Sequence, residues 1–112
     1  DWARNERQTP VWVRLVKGAY WDYETVIAAQ NHWAVPVFTR KRESDANFEK
    51  LTEFLLANVE WLVPAFGSHN VRSIARAMAV AEKLKVPDRR FEFQMLYGMA
   101  DPIKEAIQSL GY

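Results

Sequence analysis

The chain has 112 residues, of which 49% are hydrophobic and 26% charged, with a formal net charge of +1 and no cysteine. That length supports one domain with a modest core, and the near-neutral balance supplies no bulk field that would favour nucleic acid or an anionic membrane. The missing cysteines exclude disulfides, thiolate catalysis and cysteine-bound zinc or iron–sulfur centres, and fit a reducing compartment. No signal peptide or lipidation motif is read, and no apolar run is long enough to span a bilayer.

Residues 1–9 are polar and read as the end of a preceding helix or as a loop. The first strand is predicted over Val11–Lys17, β-branched and aliphatic except for Arg14. A guanidinium in such a run is costly unless something pairs with it. By strand parity Arg14, Val16 and Gly18 share one face, and Leu15 and Lys17 the other. Asp22 is predicted as N-cap of a helix to about His32, with Tyr23, Val26, Ile27 and Gln30 at helical spacing. Pro36–Thr39 reads as a short second strand, its proline acceptable at a strand start. Ser44 then caps a helix to about Val59, striped by Phe48, Leu51, Leu55 and Val59.

Glu60–Phe66 reads as a third strand, weakened by Pro64. Gly67-Ser68-His69-Asn70 turns into a helix to about Lys85, with Ile74, Ala75, Met78 and Ala81 inward. Phe91–Leu96 is the fourth strand and Tyr97-Gly98-Met99 a turn. Asp101-Pro102 opens a last helix with Ile103, Ala106, Ile107 and Leu110 inward and Gly111 as its C′ residue.

This βαβαβαβα alternation predicts an α/β fold with a parallel sheet and right-handed crossovers. Residues 1–112 read as one unit without an internal boundary. Two architectures fit: about half of a distorted (βα)8 TIM-like barrel, built from about four βα units, or a small doubly wound parallel sheet. Both place ligands beyond the carboxyl ends of the strands.

Those ends carry Lys17-Gly18-Ala19-Tyr20-Trp21, Thr39-Arg40-Lys41, Ser68-His69-Asn70, and Gln94, Leu96, Tyr97 and Gly98. Each group has two readings. Arg14 is either a structural arginine paired with Glu92 or another acid, or a functional cation. Gly18-Ala19 relieves crowding at a turn or lets a ligand meet backbone N–H groups. Arg40-Lys41-Arg42 is a solvated run or a phosphate grip. His69, beside Ser68 and Asn70 at a helix start, caps the helix or helps hold an anion. Gln94 in an apolar strand needs partners, the edge of a heterocycle among them.

His32 and His69 have no carboxylate at ligand spacing, so no metal site is predicted. No Gly-x-Ser-x-Gly elbow, P-loop or Gly-x-Gly-x-x-Gly occurs. A phosphate-bearing organic cofactor, held by cations and amides and stacked on some of the five tryptophans, fits better. The alternative is a non-catalytic βα domain that binds phosphorylated ligands or associates with itself.

Four ordered motifs resemble the proline dehydrogenase domain, in the form found in bacterial bifunctional proline utilisation A flavoenzymes. They are Arg14-Leu15-Val16-Lys17-Gly18-Ala19-Tyr20-Trp21, Val37-Phe38-Thr39-Arg40-Lys41, Ser68-His69-Asn70, and Phe91 through Met99. The resemblance implies a (βα)8 barrel with non-covalent FAD, oxidation of L-proline to Δ1-pyrroline-5-carboxylate, and electron transfer to a membrane quinone. It also implies a cytoplasmic parent protein, peripheral to the inner face of the membrane.

By position, the resemblance makes Arg14 the catalytic cation near the flavin's reactive nitrogen. Val16, Lys17, Gly18, Ala19 and Trp21 correspond to the segment along the flavin, and Tyr20 and Leu96 to substrate-side residues. Arg40 and Lys41 correspond to the pair near the FAD phosphates and adenosine. Ser68, where the family usually has threonine, corresponds with His69, Asn70 and Gln94 to further cofactor contacts. Tyr97 stands where a histidine is common. The family's Arg-Arg clamp for the substrate carboxylate lies in a Tyr-x-x-Arg-Arg-Leu-x-Glu-Asn-type helix, and no such motif occurs here. An isolated segment is therefore expected neither to close a barrel nor to oxidise proline, and to self-associate through its outer strand edges.

Overall fold

A computed structural model describes all 112 residues, Asp1–Tyr112. Three parallel strands, β1 (Val11–Val16), β2 (Leu62–Gly67) and β3 (Glu92–Gln94), form one sheet in the order β1-β2-β3. Helices α1 (Trp21–Gln30) and α2 (Lys41–Ala57) fill the first crossover. Helix α3 (Val71–Lys83) fills the second, and α4 (Asp101–Ser109) follows β3. Short helical turns occupy Ala3–Arg7 and Asp88–Arg90. The strand order has no switch point, which favours the barrel segment over the doubly wound sheet.

The predicted strand at Pro36–Thr39 does not form, so the chain carries three strands and not four. Residues 33–40 are irregular. Val11 through Val16 pair directly with Leu62 through Gly67, leaving no slot between β1 and β2. Pro36 has no N–H to offer a ladder. The Trp21 indole instead donates to the Phe38 carbonyl at 3.0 Å, tying the segment to the start of α1. Pro64 is tolerated in the middle strand because the β2–β3 ladder begins only at Ala65.

The helix starts also differ from expectation. Tyr20, in the left-handed region at φ 57°, takes the cap position of α1, and Asp22 lies in the first turn. Helix α2 begins at Lys41 after Arg40, ahead of Ser44. Ala100, at φ 55°, precedes α4, where Asp101 is helical. Asn70 caps α3 as its residue type favours: its side chain accepts from the Ser73 N–H at 3.1 Å. Gly111, at φ 95°, follows α4 as the expected C′ residue.

The core lies on one side of the sheet. Phe48, Leu55 and Leu56 from α2 and Ala77, Val80 and Ala81 from α3 close over Phe66 and Phe91, with Val13 and Leu15 packed against them. Parallel sheets ordinarily cover both faces. Here Trp12, Arg14 and Val16, the alternate residues of β1, remain exposed. The register lines Arg14 up with Ala65, Val16 with Gly67, Ala65 with Glu92 and Gly67 with Gln94. By parity these six side-chain positions share the uncovered face.

Candidate functional site

The uncovered face carries a polar chain that crosses the sheet. Arg14 Nε donates to Gln94 Oε1 at 2.7 Å, and Gln94 Nε2 donates to Glu92 Oε1 at 2.6 Å. Arg14 is on β1 and Gln94 on β3, so the side chain must pass over β2, roughly 9–10 Å across two strand spacings. Small residues on β2 allow this. A Cβ added at Gly67 would stand 2.8 Å from Val16 Cγ1 and 3.5 and 3.6 Å from the Arg14 guanidinium. Gly67 and Ala65 thus floor the path of the arginine.

Lys17 lies on the opposite face, as strand parity predicts. Its ammonium donates to Asp45 Oδ1 at 2.6 Å and Ser73 Oγ at 2.9 Å, and stands 5.2 Å from the centroid of the Phe48 ring. Lys41 donates to the other Asp45 oxygen at 2.7 Å. Hydrogen bonds from Lys17, then from Lys41, hold the Asp45 carboxyl down at about pH 2, below its usual 3.8. Asp45 therefore fastens the end of β1 to the start of α2.

Beside this anchor lies a cleft of about 360 Å³, lined by Lys17, Gly18, Trp21, Phe38, Thr39 and Lys41 with Ser44 and Asp45. Gly18, at φ 76°, has nothing within 4 Å of an added Cβ, so its need for glycine is conformational. Ala19 borders the adjoining hollow with Val16 and Pro36. Tyr20 and Leu96 are exposed at the same carboxyl edge. Arg40, Lys41 and Arg42 crowd the start of α2, where the helix dipole is also positive. Cations destabilise that end unless an anion meets them. Of these three cations only Lys41 pairs with Asp45, and Glu43 is the one acidic residue in the first turn.

His69 joins two strand ends. Its Nε2 accepts from the Leu96 N–H at 3.0 Å. Ser68 Oγ accepts from the Asn70 N–H at 3.0 Å. Ser68 and Asn70 shape the turn and cap the helix, while His69 positions the backbone after β3.

The structure thus brings Arg14, Val16 and Gln94 together on one face and lines the neighbouring cleft with Lys17, Gly18, Trp21 and Lys41. It turns the Lys17 ammonium away from the face that carries Arg14. Sequence reasoning passed over Gly67 and Asp45. The signals were present: Gly67 precedes Ser68 at a strand end, and Asp45 lies four residues after Lys41, at helical pairing distance.

Sequential parallel strands, one uncovered face and a cationic carboxyl edge define a segment of a TIM-like barrel. The solved structure of proline utilization A (PutA) from Bdellovibrio bacteriovorus, inactivated by N-propargylglycine, superposes with a TM-score of 0.93. It is 59% identical and covers 98% of this chain and 11% of that one. A Bradyrhizobium japonicum PutA mutant, D779W, superposes at 0.82 with 36% identity over 93% of this chain and 10% of its own. The proline dehydrogenase family pattern matches residues 1–112, and the chain belongs to that family. Bifunctional protein PutA of Escherichia coli is 36% identical over 85% of this chain and 7% of its own length. Proline dehydrogenase 2 of Bacillus subtilis is 31% identical over 89% and 29%. The chain therefore spans less than a third of either relative.

Proposed function

We propose that these residues form a cofactor-facing wall of an FAD-dependent proline dehydrogenase of the PutA type. The whole protein would oxidise L-proline to Δ1-pyrroline-5-carboxylate and pass the electrons to a quinone. The observation that carries this reading is Arg14, held by Gln94 across the small residues Ala65 and Gly67 on an uncovered sheet face.

The residues fit the cofactor. The face offers an apolar patch at Val16 and Gly67, beside the Arg14 side chain, against which a flat ring system can pack. Beside it are a fixed cation and an amide for polar edges. The triple cation at the start of α2 supplies the charge that a pyrophosphate requires. Bound FAD would supply the two-electron acceptor for oxidation at the carbon beside proline's nitrogen.

The chain's own residues then orient and polarise. Arg14 presents a permanent positive charge that favours electron gain nearby. Gln94 limits where that charge points. Arg40 and Lys41 grip the phosphates, with Asp45 holding Lys41 in place. Lys17 contributes through its own backbone and by anchoring the Gly18-Ala19 turn. His69 and Asn70 fix the loops that close the cofactor's side, while Tyr20 and Leu96 face the substrate.

Titration of the full-length protein with FAD, followed by fluorescence, tests the reading. Arg14→Ala is expected to weaken FAD binding and to depress proline oxidation more than tenfold, the scale of lost charge stabilisation. Unchanged affinity and turnover in Arg14→Ala would refute the assignment.

A further inference from the structure

Glu92 has no role in the site as described so far, yet it ends the polar chain that begins at Arg14. It lies two residues from Gln94 on β3, on the same uncovered face. Its Oε1 accepts from Gln94 Nε2 at 2.6 Å, while Gln94 Oε1 accepts from Arg14 Nε at 2.7 Å. The chemistry of the three groups permits one arrangement only. A carboxylate can only accept, and a guanidinium can only donate. The Gln94 amide must turn its NH₂ to Glu92 and its oxygen to Arg14.

We propose that Glu92 is a positioning residue, acting through Gln94 to aim Arg14; this rests on the flavoenzyme reading above. Gln94 sits near the end of an extended, three-residue strand with a flexible side chain. A single hydrogen bond to Arg14 leaves its amide free to pivot and Arg14 free to follow. The second bond, to a charged acceptor, fixes the amide at both ends. A carboxylate at position 92 also offsets the arginine's charge from a distance, without a direct ion pair that would pull the guanidinium off the face.

The tests use the full-length protein with FAD bound. Glu92→Gln keeps size and polarity but lets residue 92 donate, so the amide loses its fixed orientation. It is expected to lower kcat about tenfold, the size of one lost charge-assisted hydrogen bond, with KM for proline changed less than twofold. The midpoint potential of the flavin should shift, and a crystal structure should show Arg14 displaced from residue 94. Glu92→Asp, which keeps a charged obligate acceptor at position 92, should retain more of kcat and of the potential than Glu92→Gln does. In a Gln94→Leu background, Glu92→Gln should have a much smaller effect, because only the distant charge term remains.

A Glu92→Gln protein with wild-type kcat, potential and Arg14 position overturns the inference and leaves the flavoenzyme reading intact. So does an undiminished Glu92→Gln effect in the Gln94→Leu background. Wild-type protein that neither binds FAD nor oxidises proline refutes the underlying reading, and the inference with it.

Discussion

Substituting Gly67 by alanine isolates the floor of the uncovered face from its charges. The new Cβ would stand 2.8 Å from Val16 Cγ1. Carbon atoms rest at about 3.5–4.0 Å, so one side must yield roughly 1 Å. Val16 is β-branched and stiff at χ1, and its neighbours in β1 are fixed by the ladder to β2. Yielding costs about 1–3 kcal/mol. Alanine offsets about 0.4–1 kcal/mol of this by reducing the freedom of the unfolded chain. The net loss of stability is therefore about 1 kcal/mol, or a few degrees in Tm. The contacts to Arg14, at 3.5 and 3.6 Å, are ordinary and cost nothing. A ring packed on the same floor must lift over the methyl, and forfeits about 1–3 kcal/mol. That corresponds to a roughly 5- to 150-fold rise in Kd for FAD. Fluorescence titration of folded full-length Gly67→Ala measures it. An affinity within twofold of wild type, with the helical circular dichroism unchanged, would refute the argument that β2 must be bare for the cofactor to approach.

Other expectations can be checked on the same protein. The Asp45 carboxyl is held at about 2 by Lys17 and then Lys41, so its contribution to stability is complete above the unfolded value near 3.8. It is lost as pH falls toward 2. Asp45→Asn should abolish that loss between pH 4 and 2, destabilise at neutral pH, and weaken FAD binding by freeing Lys17 and Lys41; an unchanged acid unfolding curve would contradict this. Tyr112 packs on Phe91 and Phe93 with ring centroids 5.7 and 5.8 Å away. Burial, then Asp88 and Glu82, raises its phenol above 10.0, so its contribution is complete below pH 10 and lost at higher pH. Tyr112→Phe should remove that alkaline loss, as followed by near-ultraviolet circular dichroism against pH. Residues 1–112 expressed alone expose Trp12 at 64% and the outer edges of β1 and β3. They should elute larger than a monomer in size-exclusion chromatography. A sharp monomer peak at micromolar concentration would show that these edges are protected.

What the sequence determined by itself was local. Period-two alternation in residues 11–17 assigned Arg14 and Val16 to one face and Lys17 to the other, since a pleated strand allows nothing else. The amphipathic stripe of α2 was likewise readable, because it depends on spacing within one element; in α3 the expected stripe was partly misplaced, with Ala75 exposed and Ala77 and Val80 buried. The four motifs carried the family. The tertiary structure decided the rest. Pro36–Thr39 has strand-like composition, but β1 already pairs with β2, so no ladder remains for it. Positive φ at Tyr20 and Ala100 moved two helix starts, and no side-chain preference announces that. Arg14 could pair with any acid or amide in the chain. Its bond to Gln94, 80 residues away, exists because the register of three strands sets both on one face with only small residues between them. Long-range pairing depends on register and on what the middle strand lacks, and neither is written in the residues that form the bond.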